Sequence, residues 1–311
     1  MRSRHPSARR WLWPCLAALA LVLAGGRARE AGAWAIVRAP NYERVALPAP
    51  VPREVSRVVR AEVGPPAAVL DAWVLDPERE PRGTVLVLHG IRDHKASMLR
   101  VGQALRRRNL RAILVDLRGH GGSSGAFLTY GVVESRDLAQ LVDQLDALGI
   151  LEGPLGVYGP SYGGAVALQL SALEPRVRAV ASLSTFASLR EVVPPYVRMN
   201  LPSIGALVPG AVVDAVIDEA GALGGFSPDA ADTRRAIART HAEVLLIHGE
   251  ADEHIPFEHA RALFAACPRG RCRLLPIPSA DHSGALASPA ARGAALDFLE
   301  RHATREVAAG P

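Results

Sequence analysis

One stretch, Leu155-Gly156-Val157-Tyr158-Gly159-Pro160-Ser161-Tyr162-Gly163-Gly164-Ala165, sets a serine between glycines as Gly-x-Ser-x-Gly. An apolar run precedes it and an Ala-rich helical pattern follows. A nucleophilic serine needs this context: a strand turns into a helix within a few residues and leaves one hydroxyl at the tip, on strained backbone. Gly159 and Gly163 are expected where a Cβ would collide with the neighbouring strand or helix, and Gly164 where the new helix packs close to the sheet. The helix N-terminus then turns its free N–H groups toward the chemistry.

A serine hydroxyl at its ordinary pKa is a weak nucleophile, so a base must take its proton. His282, in Ala280-Asp281-His282-Ser283-Gly284, is the one candidate late in the chain on a loop after a predicted strand. An imidazole works near neutral pH, but it needs a carboxylate to hold its tautomer and stabilise the imidazolium. Asp252, in His248-Gly249-Glu250-Ala251-Asp252, is assigned that part. Glu250 is the weaker candidate, and Asp281 is too close in sequence to face its neighbour's ring easily. A tetrahedral oxyanion needs backbone donors. The N–H of Tyr162, just after the nucleophile, is one, and the N–H of Ile91, after His89-Gly90, is the second.

Other polar residues read as structural. His89 shapes the turn that carries Ile91, and His94, His120, His248 and His254 are loop or packing residues. The Gly-rich loop Leu117–Gly125 lacks the Lys-Ser/Thr that closes a phosphate-binding loop, and Asp116 at its start is structural. Cys267 and Cys272 flank a turn-like Pro268-Arg269-Gly270-Arg271. No matching His or Cys pair makes them a metal site, and two thiols this close in an exported chain are expected to form a disulfide. No metal and no cofactor is called for.

The elements that position these residues alternate. Strands are predicted over Ser56–Val63, Ala67–Leu75, Thr84–Leu88, Arg111–Val115, the run before Ser161, Val177–Leu183, Glu243–His248 and Arg273–Ile277. Helices are predicted over Lys95–Arg108, Glu134–Leu148, the segment after Ser161 up to Pro175, Phe257–Ala266, and a last one opening at Ser288-Pro289. Alternation of this kind implies an α/β fold with a mostly parallel sheet covered on both faces, and ligands sit at the carboxyl ends of its strands. Residues 185–240 break the rhythm with Pro194, Pro195, Pro202, Pro209 and Pro228 and read as a small helical cap.

The chain has 311 residues and a net charge of +5. Residues 1–33 carry six arginines and one glutamate, which accounts for all of that excess. The neutral remainder gives no support for a nucleic-acid surface. The same N-terminal stretch has a basic start, an uncharged apolar run Trp11–Ala24 and small residues Ala31-Gly32-Ala33. That is the pattern of a signal peptide or of an uncleaved N-terminal anchor. Both place the domain outside the cytoplasm, with membrane association in the second case. Residues 34–54 read as a tether and 304–311 as a tail.

Val87-Leu88-His89-Gly90, Asp116-Leu117-Arg118-Gly119-His120-Gly121, Gly159-x-Ser161-x-Gly163-Gly164, His248-Gly249-x-x-Asp252 and His282 together resemble the α/β-hydrolase superfamily. More closely, they resemble small bacterial hydrolases related to serine aminopeptidases and monoacylglycerol lipases. The resemblance covers residues 55–303. It implies an eight-stranded sheet, a Ser-His-Asp triad and a cofactor-free acyl-enzyme mechanism. One departure is Pro160 ahead of the serine, where lipases and esterases often carry His, Asp or Glu. The expected function is cleavage of a small-molecule carboxylic ester by Ser161, His282 and Asp252. A serine aminopeptidase or amidase of the same fold, or a non-catalytic binding protein built on it, are the alternatives. The cap offers apolar residues such as Phe186, Val192 and Tyr196, which suit an acyl chain. Its nearest acidic residues, Glu191, Asp214, Asp218 and Glu219, are what an aminopeptidase would use to hold an ammonium group. Oligomeric state is not legible.

Overall fold

Short β-branched and leucine-rich runs bounded by turn residues become buried strands. In the computed structural model they build one sheet. It describes residues 25–40, 51–203 and 205–304; the apolar leader Trp11–Ala24, the middle of the expected tether and residues 305–311 lie outside these. The strands are β1 (Arg57–Val63), β2 (Ala68–Leu75), β3 (Thr84–Val87), β4 (Arg111–Asp116), β5 (Leu155–Pro160), β6 (Val177–Leu183), β7 (Glu243–Gly249) and β8 (Cys272–Ile277). Their order is β1-β2-β4-β3-β5-β6-β7-β8. The β1–β2 and β2–β4 pairs are antiparallel, and every later pair is parallel.

Helices α3 (Glu134–Ala147) and α4 (Tyr162–Leu173) cover one face through Leu138, Leu141, Leu145 and Leu168. Helices α2 (Leu99–Arg107) and α10 (Pro289–His302) cover the other through Val101, Leu105, Phe298 and Leu299. The side chain of Ser288 caps α10 by accepting from Ala291 N–H at 3.2 Å. The predicted helix Lys95–Arg108 opens with a 3-10 turn, Lys95–Met98, before α2. The cause is Asp116, whose carboxylate takes both the backbone N–H and the Nζ of Lys95, each at 2.5 Å. Lys95 is fully buried, reaches Asp71 at 2.8 Å and lies over the Trp73 ring.

Between β6 and β7 the chain inserts α5 (Leu189–Asn200), α6 (Gly210–Gly224) and α7 (Thr233–Ile237). Pro194 and Pro195 lie inside α5. The domain ends with α8 (Glu258–Ala266), the short α9 (His282–Ala287) and α10. A Cys267–Cys272 disulfide with Cα atoms 6.2 Å apart joins the end of α8 to β8.

Residues 25–37 are helical (α1), so residues 34–40 are part of the domain rather than the start of a tether. Ala33, Val37 and Ala39 are buried. Val37 O accepts from Leu128 N–H at 2.8 Å, and Ile36 O accepts from the Tyr130 hydroxyl at 2.8 Å.

Candidate active site

Ser161 sits between β5 and α4 at φ 49° and ψ −116°. A non-glycine residue there is strained, at a cost on the order of 1–3 kcal/mol. Surroundings hold it in place: Ser161 N–H donates to Leu183 O at 2.7 Å, and the Thr185 hydroxyl donates to Ser161 O at 2.7 Å. The flanking glycines answer to contact. A Cβ on Gly159 would enter the carbonyl of Gly163. One on Gly163 would stand 2.5 Å from His89 O, and one on Gly164 2.6 Å from Ser182 Oγ. The bend therefore closes tightly on β3, β5 and β6 at once.

Tyr162 opens α4, so its N–H lies ahead of the helix's own hydrogen-bond ladder. Its side chain is pinned from below, the hydroxyl donating to Glu134 at 2.8 Å. Burial and the nearby Glu134 carboxylate push that phenol well above its ordinary pKa. Glu134 also accepts from the N–H groups of Thr129 and Gly131, both at 2.8 Å, and from the Thr129 hydroxyl. Sequence reasoning passed over Glu134. It opens an amphipathic helix, where acidic residues are routine.

The turn after β3 carries the other proposed donor, Ile91. Gly90 is close enough to the nucleophile that an added Cβ would touch Ser161 Cβ at 3.9 Å. His89 accepts Leu117 N–H at Nε2, 3.0 Å, so Nδ1 carries the proton and donates to Gly90 O at 2.7 Å. His120 accepts Arg92 N–H at 3.3 Å and donates to Arg118 O at 2.9 Å. Burial drives both imidazoles down, His89 to about 4 and His120 to about 3, the latter helped by its neighbour His89. Two neutral rings thus brace residues 89–92, the structural use expected of His89.

At the carboxyl end of β7, Asp252 and His282 meet: Nδ1 of the imidazole lies 2.7 Å from Oδ2 of the carboxylate. The other oxygen, Oδ1, accepts from Ile255 N–H at 2.8 Å and His254 N–H at 3.0 Å. The loops from β7 and β8 are locked together by Ala251 N–H to Ala280 O at 3.0 Å and by Gly249, whose missing Cβ makes room for Ala280 O. Glu250 is exposed and takes no part. Asp281 instead caps α9, accepting Gly284 N–H at 2.6 Å. His248 is buried, which lowers its pKa, and bonds Ile255 O. His254 stands between the base and the cap, its ring 5.4 Å from His282 and 6.1 Å from Tyr196.

Ser161, Tyr162 and Ile91 line one cavity of about 690 Å³ beneath the cap. Val193, Tyr196 and Val213 supply part of its apolar wall. Arg92 is the one charged residue among those lining it. The acidic cap residues are engaged elsewhere: Glu191 with Arg234 at 2.7 Å, Asp218 and Asp214 with Arg190 at 2.7 and 3.6 Å, and Glu219 with Arg29 at 2.7 Å. Among the described residues no cluster of three or more His, Cys, Asp or Glu could hold a metal ion.

Comparison with known proteins agrees with this architecture. Residues 79–223 match the serine aminopeptidase family, a span that holds the Ile91 turn, the elbow and most of the cap. A monoacylglycerol lipase of Mycolicibacterium smegmatis is 29% identical over 234 residues, 65% of this chain and 81% of that protein. The magnesium-chelatase 30 kDa subunit of Rhodobacter capsulatus is 34% identical over 169 residues, 53% of this chain and 56% of that one. An esterase of Pyrococcus furiosus superposes with a TM-score of 0.65 at 19% identity, over 83% of this chain and 96% of its own. The chain has the α/β-hydrolase fold, and its sequence is similar to the branch that contains serine aminopeptidases and monoacylglycerol lipases.

Proposed function

We propose that the protein is a serine hydrolase that cleaves carboxylic esters through an acyl-enzyme intermediate. The observation that carries the reading is the 2.7 Å Asp252–His282 pair, formed by the last strand-end loops of a domain whose strained Ser161 faces an apolar cavity. In this reading Nε2 of His282 takes the proton of Ser161 as Oγ bonds to the ester carbonyl carbon. The N–H groups of Tyr162 and Ile91 receive the oxyanion. The C–O bond to the alcohol then breaks and the alcohol leaves with the proton from His282. A water, deprotonated by the same imidazole, releases the acid and restores Ser161.

Esters are favoured over aminoacyl amides because no carboxylate lines the cavity and Glu191, Asp214, Asp218 and Glu219 are paired with arginines. In the same reading the domain lies outside the cytoplasm, exported or anchored by its N-terminal segment; the Cys267–Cys272 bridge supports this. A fluorophosphonate probe tests the reading: it should label the native chain and not Ser161→Ala. Equal labelling of both, or none of either, sinks it.

A further inference from the structure

The small-residue stretch Ala31-Gly32-Ala33, which fits a signal-peptidase site by composition, lies in the middle of α1. This helix is built into the cap. Gly32 lets it approach α6 so closely that a Cβ there would sit 3.0 Å from Val216 Cγ1. Arg29 reaches Glu219 of the same helix at 2.7 Å. Trp34 packs against Phe127 with the rings tilted and their centroids 5.6 Å apart, and Ala39 N–H donates to Ala126 O at 3.2 Å. Ala28, Gly32, Ala35 and Ile36 line the same cavity as Ser161.

We propose that α1 is a permanent wall of the acyl site, kept by the mature chain, and that it sets how long an acyl group the enzyme accepts. The proposal rests on the ester reading of that cavity. Removing residues up to Ala33 would take Ala28 and Gly32 from the wall and break the Arg29–Glu219 pair. About one helical turn would be left to hold buried Val37, too short to persist as a helix by itself. Val216 would then lose the cover of Gly32. The small residues that suit a peptidase also suit a helix pressed against a cap with an apolar cavity between them, and the packing favours the second use. Any cut of the leader then falls ahead of residue 25.

Two measurements on the full chain, expressed in an exporting host, test this without relying on turnover. Intact mass and N-terminal sequencing of the mature protein should place its first residue at or before Gly25; a start at Trp34, or anywhere within the helix, overturns the proposal. Binding of a dansyl-labelled undecanoic acid, followed by fluorescence, should weaken at least tenfold in Ala35→Phe and in Ala28→Phe, with thermal unfolding as the check that each variant is folded. Unchanged binding in a folded variant also overturns it. Failure of the ester reading would show separately, as loss of Ser161-dependent probe labelling.

Discussion

Asp252 and His282 are thirty residues apart in the chain, yet a single oxygen of the carboxylate faces Nδ1 of the ring at 2.7 Å while the other is held by two backbone N–H groups. The acid is therefore oriented before it orients the base. Rotation of the carboxylate would break three hydrogen bonds, so the tautomer of His282 is set by the fold.

From this follows an ordering of activities. Ser161→Ala and His282→Ala should each lower kcat/KM for an ester by about 10³-fold or more, because triad members act as a unit. Asp252→Asn should cost less but remain severe, and Glu250→Gln should stay near wild type. An inactive Glu250→Gln beside an active Asp252→Asn would reverse the assignment.

The elbow trades stability for position. Ser161→Gly should be more stable than Ser161→Ala by about 1 kcal/mol, since glycine adopts φ 49° without strain and alanine does not. Gly163→Ala should destabilise by about 1–3 kcal/mol, its methyl meeting His89 O. Urea denaturation of the three variants gives both comparisons.

The two buried imidazoles make the fold acid-sensitive. His89 and His120 are driven below their ordinary 6.5, to about 4 and about 3, so the unfolded chain takes up protons that the folded one refuses. Their stabilising effect is fully present above pH 6.5. It declines as pH falls through the window down to about 4 and 3, by up to about 1.4 kcal/mol per pH unit for each ring. The variant His120→Gln, which keeps an acceptor for Arg92 N–H, should lose less melting temperature between pH 7 and pH 5 than wild type. An identical loss would remove His120 from this account.

Substrate preference is read from kcat/KM for p-nitrophenyl butyrate or octanoate against aminoacyl p-nitroanilides. Esters should be cleaved faster, and Glu191→Gln should not change the ratio, because Glu191 already faces Arg234. Faster amide cleavage, reduced by loss of one cap carboxylate, would instead make that residue an ammonium anchor.

What was legible in the sequence was what depends on near neighbours in the chain. The eight strands announce themselves as short buried runs, and Ser161, Asp252 and His282 stand at strand ends in the expected order. Contacts made across the sheet were not legible. Glu134 under Tyr162, and Asp71 beside Lys95, are ordinary helix and strand residues until the fold brings them together. The role of α1 was hidden for a different reason: Ala and Gly satisfy export machinery and close helix packing equally well.

Lys95 is the sole lysine of the chain, and it is enclosed by Asp71, Asp116 and the Trp73 ring. The folded surface among the described residues therefore offers no side-chain amine. Amine-directed crosslinkers, dyes and resins would find only the chain's α-amino group, and acylation of Lys95 itself would report that its enclosure by Asp71, Asp116 and Trp73 has opened.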